Sequence, residues 1–334
     1  MSQSRTHSTT MAMLGAAARG AGTVFTFLRS RPWTVAVVAS FLIAGMLLPI
    51  SQRNGVDLVI SNIYLASFIA IAALGQMLVV STGRGAIDLS IPFTITLCVY
   101  VATIVQNGAN ENLPASIALT ILVGAVVGGV NGFAVVVLRV PAMVATLAVG
   151  FIAQSVVQII ASTTGNGGPS PAITAASRGN ILGIPIFVII AVAIAVTISV
   201  VVFRTGLGFR LIGTGQNDRS ALLAGLRPGA SRWVAFILSG GLAATAAILL
   251  GGYSGGASLG IGASFLISTI AAVVLGGTLM SGGSPSVAGT LAGALLLTLL
   301  VTLTNTLQIP SGTRSLIEGL VILTALGIGA RKRL

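Results

Sequence analysis

Charge is what this 334-residue chain has least of: Asp, Glu, Lys and Arg make up only 7% of it. Water-soluble domains carry about 25%. The few charges are also one-sided, with 17 Lys or Arg against 5 Asp or Glu, for a net +12. A surface of this size cannot be covered with so little charge. The chain is 55% hydrophobic, with a mean hydropathy of +1.05. The composition therefore indicates a polytopic membrane protein. Other scarcities exclude chemistries. The single cysteine, Cys98, rules out an intrachain disulfide and a cysteine metal cluster. The single histidine, His7, leaves no means to build a His-ligated metal or haem site, or a Ser-His-Asp triad. The single lysine, Lys332, lies at the C-terminal end. A Walker A loop needs a lysine after its glycines to reach the phosphates, so ATP hydrolysis by that route is excluded. No metal and no cofactor is expected on this chain. Aromatics are few (5%) and glycines many (43), which suits closely packed transmembrane helices.

Crossing ~30 Å of hydrocarbon takes about 20 residues. Ten runs qualify, at 33–50, 58–80, 87–106, 113–138, 140–161, 181–203, 232–253, 262–281, 285–306 and 315–330. The expectation is an all-α protein of about ten transmembrane helices, some interrupted by glycine or proline. Interrupted helices survive in a membrane where protein or a water-filled cavity satisfies the freed backbone groups. An even number of crossings puts both termini on one side. With the N-terminus inside, 14 basic residues fall inside and Arg53, Arg178 and Arg314 outside. That is the bias that orients membrane proteins, and it replaces nucleic acid as the reason for the positive charge. Residues 1–31 then form a basic cytoplasmic tail, 32–330 the transmembrane domain, and 331–334 a basic cytoplasmic end.

The longest inside segment is 204–231. Asn217 and Asp218 can cap a helix there. Ser220 to Leu226 follows as a short amphipathic helix, with Ala221, Leu222 and Leu223 as its apolar face and Gly225 and Pro228-Gly229 as its stop. Such a helix lies in the membrane interface or docks on a partner. The longest outside segment, 162–180, is rich in Gly, Ser and Pro and is expected to be a loop. It is either a docking surface or a connection.

Three stretches are more specific. Gly85-Ala86-Ile87-Asp88-Leu89-Ser90 puts a carboxylate at the edge of an apolar run. Asp88 is expected to cap the next helix or to pair with Arg84; a gating acid is the functional alternative. Pro141 to Leu147, including Thr146, starts a span after Arg139. Ile270 to Gly277 ends on Gly276 and Gly277. GxxxG spacing at Gly124/Gly128, Gly128/Gly132 and Gly289/Gly293 means close helix packing.

In this order, together with Thr205-Gly206-Leu207-Gly208 and Gly213 to Asn217, these stretches resemble the permease subunit of ribose-type bacterial ABC importers. That group also holds the branched-chain amino-acid permeases. The resemblance covers about 35–330 and implies a type II importer-like fold in the bacterial inner membrane. It implies a non-catalytic subunit, paired with a second permease copy or paralogue. Two ATPase subunits or a fused double ATPase would lie beneath, and a solute-binding protein outside. It places the coupling helix at about Asn217 to Leu226, where Asp218, Arg219, Ala221, Leu222, Leu223 and Gly225 would meet the ATPase. The sequence departs from the family at Leu266 and Ser268, where ribose-type members carry an acidic pair, and at Pro285. These departures bear on the solute or on the docking role of that outer segment.

Six amides lie within the runs: Asn62, Gln76, Asn131, Gln154, Gln158 and Asn305. They either line a path for a hydroxylated solute or bond helix to helix, at about 0.6 kcal/mol each. The leading expectation is an importer permease for a monosaccharide-like solute. A branched-chain amino acid or a nucleoside is the alternative solute. An ion-coupled carrier ranks lower because the acids sit at run edges. An intramembrane enzyme lacks the residues it would need.

Overall fold

The computed structural model describes residues 33–50, 55–164, 167–181 and 183–330. The tail at 1–31 and the end at 331–334 lie outside the described residues. The rest is almost entirely helical: α1 (Trp33–Ile50), α2 (Gly55–Ser81), α3 (Ile91–Gln106), α4 (Leu113–Val136), α5 (Ala142–Thr163), α6 (Pro171–Arg178), α7 (Ile186–Arg204), α8 (Gly206–Gln216), α9 (Asp218–Leu223), α10 (Pro228–Ser254), α11 (Phe265–Leu275), α12 (Val287–Thr306) and α13 (Ser311–Ala330). Two-residue strands β1 (Asn180–Ile181) and β2 (Ile184–Pro185) pair antiparallel between α6 and α7. A helix overlaps each of the ten apolar runs. Among the described residues six helices (α2, α4, α5, α7, α10 and α12) are long and apolar enough to cross a membrane. The helical parts of α1, α3 and α11 are apolar but shorter.

Burial ranks the helices. The apolar windows of α2 and α10 are 83% and 67% buried, against 22% for α4 and 28% for α5 and α7. Thus α2 and α10, with α3, none of whose residues is exposed, form the centre, and α4, α5 and α7 turn an apolar face outward, as lipid-facing helices do. The GxxxG reading holds as packing. A Cβ on Gly124 would lie 2.4 Å from the Gly240 carbonyl oxygen, and one on Gly128 would lie 2.1 Å from that of Phe236. Hydrogen at these positions is what lets α4 lie backbone to backbone on α10.

Four sequence expectations need correction. The 162–180 segment is not all loop, because Pro171–Arg178 is a helix. The Ser170 hydroxyl accepts the Ile173 N–H at 3.3 Å, and Pro171 at the first helical position opens the helix instead of breaking it. Ile173 and Ser177 seat it against Gly252. The 262–281 run is helical only over Phe265–Leu275; Gly277 and Gly282, with φ of +81° and +93°, take the chain out of helix. Pro228-Gly229 does not stop a helix but forms the first turn of α10. Finally, the short helix expected over Ser220 to Leu226 runs instead over Asp218–Leu223, and a separate helix capped by Thr205 fills 206–216.

Candidate functional site

The chain leaves α2 at Ser81 and enters α3 at Ile91, and the segment between carries the Asp88 motif. Gly83, Arg84 and Gly85 all have positive φ (+81°, +57° and +65°). Glycine adopts this freely, whereas arginine does so at a cost. The resulting turn sends Asp88 inward, to 2% exposure, and leaves the Arg84 side chain 72% exposed.

Among the described residues Asp88 has no cationic partner. Its Oδ1 accepts the Ser90 N–H at 3.0 Å and the Ser90 hydroxyl at 2.6 Å, and its Oδ2 accepts the Ser239 hydroxyl of α10 at 2.8 Å. The capping expectation does not hold: the carboxylate takes the N–H of Ser90, the residue just before α3, and no side chain caps α3 itself. The pairing with Arg84 does not hold, because the glycine-flanked turn points that arginine elsewhere. Asn131 of α4 donates to Ser90 Oγ at 2.7 Å, and Gln76 Oε1 of α2 accepts the Asp88 N–H at 3.2 Å. Thr146 of α5 accepts the Leu89 N–H at 3.0 Å. One irregular segment thus satisfies its polar groups against four helices, as an interrupted stretch in a membrane must. Pro141 stands one place before α5, where its carbonyl accepts the Ala145 N–H at 3.0 Å.

The remaining amides go elsewhere. Asn62 accepts the Thr302 hydroxyl at 2.6 Å, joining α2 to α12. Gln154 is half-buried, and Gln158 and Asn305 are exposed. Among the described residues no hydrogen bond joins any two of the six amides. Gly276 and Gly277 follow α11, and a Cβ on Gly276 would sit 2.4 Å from the Gly289 carbonyl carbon.

Helix α9 forms the second part of the site. Asn217 caps it, its Oδ1 accepting the N–H groups of Arg219 and Ser220 at 2.9 and 3.0 Å. Ala221, Leu222 and Leu223 do not share a face. Successive helical residues point about 100° apart, so Ala221 is 4% exposed while Leu222 and Leu223 are 60% and 85% exposed. Gly225, with φ +79°, turns the chain, and the Leu226 N–H returns to the Ala221 carbonyl at 3.0 Å.

Asp218 anchors this helix. It meets Arg84 Nε at 2.5 Å and also pairs with Arg232 Nη2 of α10. Arg84 and Arg232 were not singled out by sequence as partners of Asp218; the flanking Gly83 and Gly85 are the one sequence feature that sets Arg84 apart. Beside the pair, three backbones cross. Gly283 N–H donates to the Ser81 carbonyl at 2.9 Å, and a Cβ on Gly215 would lie 1.9 Å from the same oxygen. The ends of α2 and α8 and the 281–283 turn are therefore in direct backbone contact next to α9. Among the described residues no group of three or more His, Cys, Asp or Glu could hold a metal.

Comparison with known proteins decides the family, since the model of the branched-chain amino acid transport system / permease component family matches residues 58–326. The chain belongs to that family. Two relatives are each called autoinducer 2 import system permease protein LsrD. The one from Yersinia enterocolitica is 30% identical over 305 residues, covering 88% of this chain and 91% of the relative. The one from Photorhabdus laumondii is 29% identical over 299 residues, covering 88% and 90%. No solved structure matches. The chain is thus a multi-pass membrane permease, a transport subunit and not a catalyst, of the group its motifs resemble.

Proposed function

We propose that this permease pairs with a second permease copy or paralogue to form the translocation pathway of an ABC importer in the bacterial inner membrane. The solute is monosaccharide-like, of the kind named for the LsrD relatives. An external binding protein delivers it, and two ATPase subunits or a fused double ATPase supply the energy. The chain crosses the membrane ten times with both termini in the cytoplasm. That arrangement is supported by a helix at each apolar run and by the sequence positions of Arg84, Arg139, Arg204, Arg210, Arg219 and Arg227, which fall at the ends of runs or between them where the ten-span reading puts the inside.

One observation carries the coupling part of this reading. Helix α9 holds Leu222 and Leu223 outward while Asp218 ties it to the 82–84 turn and to α10. Exposed leucines on a polar, anchored helix are what a docking helix presents. A push on α9 passes through Asp218 and Arg84 to the turn that carries Asp88, and from there to α4, α5 and α10. Gln154 and Gln158, four positions apart on α5, and Asn305 offer amides to a hydroxylated solute. The buried Asn62, Gln76 and Asn131 hold the helices beside the path.

The test is uptake by the complete importer in proteoliposomes, comparing wild type with a Leu222→Asp, Leu223→Asp variant. The reading expects ATP-dependent uptake in wild type and its loss in the variant. Equal uptake by both would refute the assignment of α9. Offering autoinducer-2, a pentose and leucine in parallel identifies the solute class.

A further inference from the structure

A pocket of about 390 Å³ opens at the root of α9, lined by Arg84, Arg219, Arg232, Asp218, Asn217 and Thr214 among others. Three arginines and one carboxylate line it. Asp218 occupies one nitrogen of Arg84 and one of Arg232, while the Arg219 side chain has no ion pair among the described residues. The chain has no further acid to offer. Of its other four, Asp88 is buried in its own hydrogen bonds, and Asp57, Glu111 and Glu318 lie on or beside other helices and do not line the pocket. Two polar atoms of the wall, Thr214 Oγ1 and Arg232 Nε, are buried without a hydrogen-bond partner. The pocket thus holds an excess of two positive charges that the chain does not neutralise.

We infer that this pocket receives an acidic side chain of the ATPase subunit. The inference rests on the docking assignment of α9 and adds the chemistry of its partner. Arginine forks pair with carboxylates through two parallel N–H···O bonds. Arg84 and Arg219 are solvent-exposed beside the outward Leu222 and Leu223, so one partner surface covers the leucines and the arginines together. The groove that accepts α9 then has an apolar floor and an acidic rim. Such a rim sets register and association rate more than raw affinity, and salt screens it within ~10 Å at 0.1 M.

The experiment uses the full-length chain co-expressed with its ATPase and measures ATPase retained on the purified permease across a salt series. Arg219 is exposed and helps hold no other element, so Arg219→Glu leaves the fold intact. The expected result is at least a tenfold loss of retained ATPase for Arg219→Glu at low salt, near-wild-type retention for Arg219→Lys, and convergence of wild type on the Glu variant at high salt. Retention by Arg219→Glu equal to wild type, while Leu222→Asp, Leu223→Asp abolishes assembly, would overturn the acidic rim and leave the docking of α9 standing. Full retention by both variants would overturn the docking assignment as well. Release of co-purified anionic lipid by Arg219→Glu with ATPase retained would reassign the pocket to a headgroup.

Discussion

The Ser239 hydroxyl of α10 donates to Asp88 Oδ2 at 2.8 Å, across 151 positions of the chain. This bond joins a central helix to the irregular turn between α2 and α3. Among the described residues both ion pairs go to Asp218, so Asp88 relies on hydroxyl and N–H donors alone. A buried carboxylate is retained only if its donors are in place. The turn and α10 therefore keep their relative positions as long as the hydroxyl stays.

Removing one donor and removing the carboxylate have different costs. Ser239→Ala deletes one bond of several and is expected to lower stability by about 1 kcal/mol. Asp88→Ala strands Ser90, Ser239 and the geometry that Asn131 depends on, and is expected to cost about 3 kcal/mol or more. Thermal unfolding of the two variants in detergent checks the order. Equal midpoints would contradict it.

The α4–α10 contact offers a matched pair. A Cβ at Gly128 would lie 2.1 Å from the Phe236 carbonyl oxygen, whereas the nearest atom to a Cβ at Gly129 is 3.9 Å away. Gly128→Ala is expected to cost at least about 1–3 kcal/mol through forced separation of the helices. Gly129→Ala is expected to be neutral or slightly stabilising, because alanine favours helix. The yield of monodisperse protein reads the difference.

These contacts show how far the sequence could be read. Hydropathy marked ten runs and a helix overlaps each, though among the described residues only six helices are long and apolar enough to cross a membrane; a hydropathy run is indifferent to what it packs against. Ends were harder. Gly277 ended α11 inside an apolar run, and Pro171 and Pro228 opened helices where proline suggested a break. The cap by Asn217 was legible because capping is local. The partners of Asp88 and Asp218 were not, since Ser239 lies 151 positions from Asp88 and neither it nor Arg232, 14 positions from Asp218, carries a sequence mark. The nearby Arg84 was the plausible mate of Asp88 until the positive φ of Gly83, Arg84 and Gly85 turned it toward α9.

Asp218 bridges two unequal arginines. The Arg232 side chain is 10% exposed and that of Arg84 72%. Asp218→Ala leaves Arg232 buried and unpaired, at a cost of about 3 kcal/mol. Arg84→Ala removes a solvent-screened partner and is expected to cost less than about 1 kcal/mol. Chemical unfolding of both variants tests this, and an Arg84→Ala loss equal to that of Asp218→Ala would contradict it.

The Asn217 cap is worth about 1 kcal/mol to a helix of only six residues. Asn217→Ala is expected to fray α9 with little effect on global stability, lowering ATP-dependent uptake several-fold. Asn217→Ser, which can also cap, is expected to restore most of it. Hydrogen exchange over 217–224 provides the structural readout.

The central claim is that α9 is the element that meets the ATPase. Cys98 is fully buried, so a Leu223→Cys variant presents one accessible thiol within the described residues. Cross-linking that thiol in membranes holding the assembled importer gives the most direct answer. The account predicts a cross-link to the ATPase subunit that changes in yield with ATP, and protection from impermeant thiol reagents added outside. Labelling from outside, or no cross-link to the ATPase in an active complex, would contradict it.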